Sequence, residues 1–311
     1  MSNQPIDLSI VTSLYKSEGY IESFYHRIRE VAAQLTGRFE IILVNDGSPD
    51  DSLAKALALH EKDSRITVVD LSRNFGHHRA VYTGLGFARG RMVYLTDSDL
   101  EEPPEVLELF YQRLQQGDCD VVYGYQENRK GGMLERISGD LFYKTFNFLS
   151  DVKLPRNLIT ARLMTRRYVD SLLLHRDRNP FMAGLLAITG YIQVGLPVKK
   201  GSSRSSSYSW LRRLREACNS VTAFSSKPLL LSTWLGTIIS IVASIYIVYL
   251  LAMWLVRGIP LEGWPSLIVS IWFLGGLNLF FIGIVGLYLS RVFMEMKDRP
   301  LTVVRALHRH Q

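Results

Sequence analysis

Through the first two-thirds of the chain, short apolar runs alternate with stretches of helical periodicity. Leu8–Thr12, Ile41–Val44, Ile66–Val69, Met92–Leu95 and Val121–Tyr123 have the length and β-branched content of buried strands. Between them Glu18–Leu35, Asp51–Lys62, His77–Arg89 and Pro104–Gln115 repeat apolar positions at helical spacing, with Pro104 suited to a first turn. This alternation predicts an α/β domain with a mostly parallel, Rossmann-like sheet and helices on both faces. Ligands bind such sheets beyond the carboxyl ends of the strands, so the residues after each strand are where chemistry is expected.

The pattern changes after Lys227. Leu229–Val256 and Pro265–Ser290 carry no charged residue over 28 and 26 positions, and about 20 apolar residues cross a bilayer. Two transmembrane helices are predicted, joined by a short loop at 257–264. Just before them Trp210, Leu211, Leu214, Cys218, Val221 and Phe224 recur at helical spacing while Arg212, Arg213 and Arg215 crowd the start. This predicts an amphipathic helix over 206–228 lying in the lipid headgroup layer. The Ser-rich run 202–207 reads as a loop, and 291–311 as a basic tail with a solvated or lipid-facing end. The expected division is thus a catalytic domain at 1–205, the interfacial helix, two spans and the tail.

Charge fixes the expected orientation. The chain has a net charge of +7, but residues 1–196 hold 23 basic and 25 acidic side chains, and residues 197–311 hold 13 and 4. Because the excess lies beside the apolar spans, it marks a membrane face and argues against nucleic-acid binding. The bases flank the outer ends of the spans, so the domain and both termini are expected in the cytoplasm, with Trp254 and Trp264 in the opposite interfacial belt. Met1–Ile6 has no basic segment leading into an apolar run, so no secretory signal is expected. Two cysteines, Cys119 and Cys218, are too few for a disulfide framework.

Carboxylates collect after the strands: Asn45-Asp46-Gly47-Ser48 after the second, Thr96-Asp97-Ser98-Asp99 after the fourth. No glycine-rich phosphate loop accompanies them. Carboxylates would repel a nucleotide diphosphate unless a divalent cation lies between, and Mg²⁺ or Mn²⁺ takes hard oxygen ligands of this kind. Asp97 and Asp99, two apart, leave the same face of an extended chain. Each piece also has a plainer reading as a turn or helix cap.

Together, Ile10–Glu18, Val44–Ser52, Leu71–Gly90 and Asp97–Glu105 resemble the ordered motifs of glycosyltransferase family 2. With two C-terminal spans, the chain is similar to the polyprenyl-phosphate glycosyltransferases such as dolichol-phosphate mannosyltransferase. The resemblance implies a GT-A fold in which Tyr15, Glu18, Asp46, Arg73 and His77 bind the nucleotide sugar. It implies that Asp97 and Asp99 serve the diphosphate and metal, with Arg162 in the catalytic set. There are departures. Lys16 stands where the family usually has Asn, and Glu101-Glu102-Pro103-Pro104-Glu105 where Gln-Asp-Pro-Pro-Glu is common. Thr160 replaces an Asp proposed as base, and Ser205-Ser206-Ser207-Tyr208 is a reduced Gly-x-Ser-Lys-Tyr.

The missing base bears on the acceptor. A sugar hydroxyl needs a carboxylate to take its proton; a lipid monophosphate, with a second pKa of about 6, does not. The expected reaction is inverting transfer from a UDP-sugar to polyprenyl (undecaprenyl or dolichyl) phosphate, feeding surface-glycan synthesis. Lys199, Lys200 and Arg204 are the expected acceptor-phosphate ligands. Competing readings are a transferase extending a lipid-linked glycan at a hydroxyl, and a non-catalytic membrane adaptor. Asp151 is a weaker candidate for the absent base. An integral protein of the bacterial inner membrane, associating with further copies through its helices, completes the expectation.

Overall fold

The computed structural model describes residues 5–126, 157–175, 177, 182–199, 225–257 and 263–310. The predicted strands form as β1 (Leu8–Leu14), β2 (Phe39–Asn45), β3 (Ile66–Leu71), β4 (Met92–Leu95) and β5 (Val121–Tyr125). The predicted helices form as α1 (Ile21–Leu35), α2 (Ser52–Lys62), α3 (His77–Phe87) and α4 (Val106–Leu114). Helix α4 starts two residues later than the sequence pattern indicates. Pro103 and Pro104 occupy the preceding turn, their carbonyls accepting the amides of Val106 and Leu107.

Strands β1 to β4 are parallel in the order β3-β2-β1-β4. β1, β2 and β3 are almost wholly buried along their length, as parallel strands covered on both faces must be. On one face α1 contributes Ile21, Phe24, Ile28 and Ala32, and α4 Leu107 and Phe110, to a core with Ile10, Ile41, Val68 and Tyr94. On the other, α3 packs so close that a Cβ on Gly84 would lie 2.7 Å from Val11 and Val44.

Four elements complete this domain without having been anticipated: β6 (Leu158–Thr165), α5 (Arg166–Leu172), α6 (Met182–Ile188) and β7 (Gln193–Pro197). β6 inserts antiparallel between β4 and β5, and β7 pairs parallel with β5.

The reading of the C-terminal tail requires correction. Val304–His308 is not a solvated or lipid-facing end but an eighth strand, β8, antiparallel to β3. Arg299–Gln311 accordingly clusters with the sheet, leaving the helices as a second compact unit. The reason is local: β3 would otherwise present an unpaired edge, and the tail satisfies its amides and carbonyls.

The second unit contains α7 (Lys227–Arg257) and α8 (Trp264–Met296), 31 and 33 residues long. Both are long and apolar enough to cross a membrane, and large side chains such as Trp234, Trp272 and Phe280 are exposed along them. Tyr288 Oη of α8 donates to the Ser225 carbonyl at the entrance to α7. Of the predicted interfacial helix, residues up to 224 lie outside the described residues.

Candidate active site

In the order β3-β2-β1-β4 the winding direction reverses between β1 and β4, and the carboxyl ends of strands at such a switch point are where sheets of this kind bind ligands. Ser13 comes from β1, Asp97 from the turn after β4, and His77 is the first residue of α3. His77 Nδ1 lies 2.8 Å from Ser13 Oγ and its Nε2 3.6 Å from Asp97 Oδ1. Three segments far apart in sequence thus meet at the switch point.

Asp97 is partly exposed, Ser98 buried and Asp99 exposed. Ser98 anchors the turn, its Oγ donating to the Ser13 carbonyl at 3.2 Å. Leu100 then takes φ +61°, a left-handed conformation that costs a side-chain-bearing residue about 1–2 kcal/mol. The chain bends there, and Asp99 Oδ1 accepts the Glu101 amide at 3.0 Å.

Asp46 is buried. Its two carboxylate oxygens accept the amides of Phe75 and Gly76 at 2.7 and 3.0 Å, so it holds the loop that delivers His77. Burial pushes its pKa up, against the two amides and the nearby His77 and Arg73, which pull it down. The next residue must be glycine: Gly47 has φ +57°, and a Cβ there would sit 2.4 Å from the Arg73 backbone. Arg73 itself is exposed, with its guanidinium 4.1 Å from the centre of the Phe75 ring.

The loop after β1 is stitched to the loop after β2. Lys16 N donates to Ser48 Oγ (2.7 Å), Ser17 N to Ser52 Oγ (2.9 Å) and Glu18 N to Asp50 Oδ2 (3.2 Å). Lys16 has φ +56°, a position Asn tolerates better than Lys. Tyr15 is 47% exposed. Glu18 Oε2 accepts the Asp51 amide at 3.1 Å, serving the start of α2. Asp50 was not foreseen, yet it joins the two loops. Burial raises its pKa, but hydrogen bonds from Ser48, Ser52 and the Glu18 amide outweigh that and bring it to about 2. Its signal was Ser48-Pro49-Asp50-Asp51-Ser52, a run rich in capping residues.

Arg162 lies in β6, opposite Leu95 of β4 and Tyr123 of β5. It is buried and donates to the Thr160 and Ile159 carbonyls, each at 3.1 Å. Burial lowers its pKa, while Tyr168, Glu102 and Asp97 favour the cation. Glu102, also unforeseen, is buried and accepts the amides of Thr160 and Ala161 at 2.9 and 2.8 Å. Lys199 is exposed after β7. Lys200, Arg204 and Asp151 lie outside the described residues.

Among the described residues no group of three or more His, Cys, Asp and Glu could by itself hold a metal ion. Asp97 and Asp99 nevertheless suit Mg²⁺ or Mn²⁺ of the kind that completes its shell with phosphate oxygens and water. Asp97 is partly exposed and Asp99 exposed.

The sequence profile of glycosyl transferase family 2 matches residues 9–173. A Mycobacterium tuberculosis chain named only as a glycosyltransferase is 44% identical over 301 residues, covering 97% of this chain and 88% of that one. The SfII prophage-derived bactoprenol glucosyl transferase of Shigella flexneri is 34% identical over 307 residues, 97% of this chain and 98% of that one. Among solved structures, a mannosyltransferase from Pyrobaculum calidifontis in complex with GDP-Man and Mn²⁺ superposes with a TM-score of 0.50 at 15% identity. It covers 71% of this chain and 64% of that one, a likeness of fold. With a matching profile over half its length and relatives aligned nearly end to end, the chain belongs to glycosyl transferase family 2 and is a glycosyltransferase.

Proposed function

We propose that this glycosyltransferase moves a sugar, with inversion, from a nucleotide sugar to polyprenyl phosphate at the cytoplasmic face of a bacterial inner membrane. The observation that carries the reading is the meeting of Ser13, His77 and Asp97 at the switch point of a chain that continues into two long apolar helices. The bactoprenol glucosyl transferases, relatives at 32–34% identity along nearly the whole chain, support the lipid acceptor.

The chemistry follows from the donor groups. Asp97 and Asp99 would hold Mg²⁺ or Mn²⁺, which when bound would neutralise charge developing on the departing diphosphate. The Asp46-held loop presents His77 on the same side, and the exposed Tyr15 ring offers a face to the nucleoside base. The acceptor phosphate, dianionic above its second pKa of about 6, brings a nucleophilic oxygen with no proton to remove. Its oxygen bonds to the anomeric carbon as the bond to the nucleoside diphosphate breaks on the opposite face. This suits the surroundings of Thr160, where the Glu102 carboxylate is buried and turned onto two backbone amides. Lys199, with Lys200 and Arg204, receives the acceptor phosphate. A UDP-sugar is the donor we favour.

Sidedness follows from connectivity. Residues 182–199, ahead of α7 in the chain, and β8 after α8 both belong to the sheet domain, so two membrane crossings would bring the chain back to the side it left. The bases around the outer ends support a cytoplasmic domain. The row Thr233, Gly236, Thr237, Ser240 and Ser244 along α7 permits close helix approach, in keeping with association of copies.

The test supplies purified full-length protein with a panel of UDP-, GDP- and dTDP-sugars. Undecaprenyl phosphate and a lipid-linked glycan bearing only hydroxyls are given as alternative acceptors. Transfer to the phosphate is expected, abolished by EDTA and reduced at least about 100-fold in Asp99→Asn. Transfer to the hydroxyl alone would overturn the acceptor assignment.

A further inference from the structure

The strand that follows the membrane helices lies against the loop that serves the donor end of the sheet. β8 pairs with β3 as Val68 with His308, Val69 with Leu307 and Asp70 with Ala306, and then the register shifts so that Leu71 meets Val304. One residue on β3 thus opposes two on β8, and Arg305 is the extra residue of a bulge. Bulges re-aim a side chain out of the regular alternation. Here the Arg305 guanidinium turns to the end of β3, where Nη2 donates to the Ser72 carbonyl at 2.6 Å and Nη1 lies 3.6 Å from Asp70 Oδ2.

Ser72 is gripped from both sides, because its amide also donates to the Val303 carbonyl at 2.9 Å. Asp70 is buried and accepts from Asn45 Nδ2 at 2.8 Å. Asn45 Oδ1 in turn accepts the Ser48 amide at 3.2 Å. One cation from the tail therefore meets both loops that flank Asp46, at Ser72 on one side and through Asp70 and Asn45 on the other. The strand is fastened elsewhere. Thr302 Oγ1 lies 2.7 Å from Thr83 Oγ1 on α3, Arg309 Nη2 donates to the Phe87 carbonyl (2.9 Å), and His310 Nε2 lies 2.8 Å from the His60 carbonyl. Arg305 is thus not needed to hold β8 in place. It remains 58% exposed while its carboxylate partner is 5% exposed.

We propose that Arg305 is a positioning residue for donor binding. The segment C-terminal to the membrane helices sets the Ser72–His77 loop, so that an otherwise folded domain binds its nucleotide sugar well only with β8 and Arg305 in place. Only residues 297–303 separate α8 from β8, which ties the helix that leaves the membrane to the donor loop through the covalent chain. The inference rests on the donor end being the one assigned above, but not on the identity of the acceptor.

The test compares full-length wild type, Arg305→Ala and Arg305→Lys in detergent. Donor KM, acceptor KM, kcat, melting temperature and calorimetric titration with UDP, GDP and dTDP are measured. Arg305→Ala is expected to raise donor KM and weaken the nucleoside diphosphate that wild type binds by about five- to tenfold, the loss of one charge-assisted contact. Acceptor KM and melting temperature should stay at wild-type values, and Arg305→Lys should recover part of the loss by restoring a cation beside Asp70. Unchanged donor KM overturns the proposal. So does an equal rise in both KM values with a fall in melting temperature, and so does a fold too weak to purify in both variants. Wild type that binds a nucleoside diphosphate but ignores undecaprenyl phosphate would sink the acceptor assignment, while the titrations would still decide the role of Arg305.

Discussion

Asp63, at the end of α2, accepts hydrogen bonds from Tyr25 Oη at 2.8 Å and Arg65 Nη2 at 2.7 Å while only 8% exposed. Burial alone would raise its pKa, but Arg65 and Tyr25 outweigh burial and bring it from the usual 3.8 to about 2. A carboxyl held low in the fold contributes stability above its unfolded pKa and loses it as the pH falls toward the folded value. The shift corresponds to about 2 kcal/mol. Stability is therefore expected to fall between about pH 4 and pH 2, with Asp50 acting in the same direction. Asp63→Asn should melt lower than wild type at pH 7 and lose less on acidification, which thermal melts at pH 7 and pH 3 will show. At this scale the sequence was half legible. Asp97 and Asp99 announced themselves by spacing and by following a strand. Asp50 gave only a local capping signal and Glu102 none, because the Glu18 and Thr160 amides that they accept lie 32 and 58 residues away.

The elements that position the site differ in how openly their sequence declares them. β1, β2 and β3 are rich in apolar and β-branched residues because both faces are covered, and α1 shows its buried stripe at Ile21, Phe24, Ile28 and Ala32. β6 hides: Thr160 and Arg162 interrupt its apolar pattern, and α5 starts at Arg166 with no intervening turn signal. β8 hides further, since Val304–His308 is short and finds its partner more than 230 residues back. The turn after β2 is an element whose failure is foreseeable. Gly47→Ala would need both a positive φ and a Cβ inside contact distance of the Arg73 backbone. A loss of about 3 kcal/mol is expected from strain and overpacking. It should show as a lower melting temperature together with weaker nucleoside diphosphate binding, because the displaced neighbour is the loop leading to His77.

For the molecule as a whole, the assigned sidedness can be checked directly. A membrane-impermeant maleimide should label Glu262→Cys from outside the inner membrane, in a Cys218→Ser background. Ser64→Cys, on the exposed surface of the sheet domain, should react only after the membrane is opened. Labelling of both from the same side would refute two crossings. The sequence by itself determined the class of the domain, the strand ends where carboxylates gather and the two apolar spans. These depend on near-neighbour patterns, on which burial and helix or strand period leave a direct imprint. Only the tertiary structure decided what the carboxylates touch, that Asp46 and Glu102 spend their oxygens on backbone amides, and that the tail returns as a strand. Those outcomes depend on which distant segments supply the unpaired amides, carbonyls and charges of the finished sheet, and a linear pattern carries no record of them.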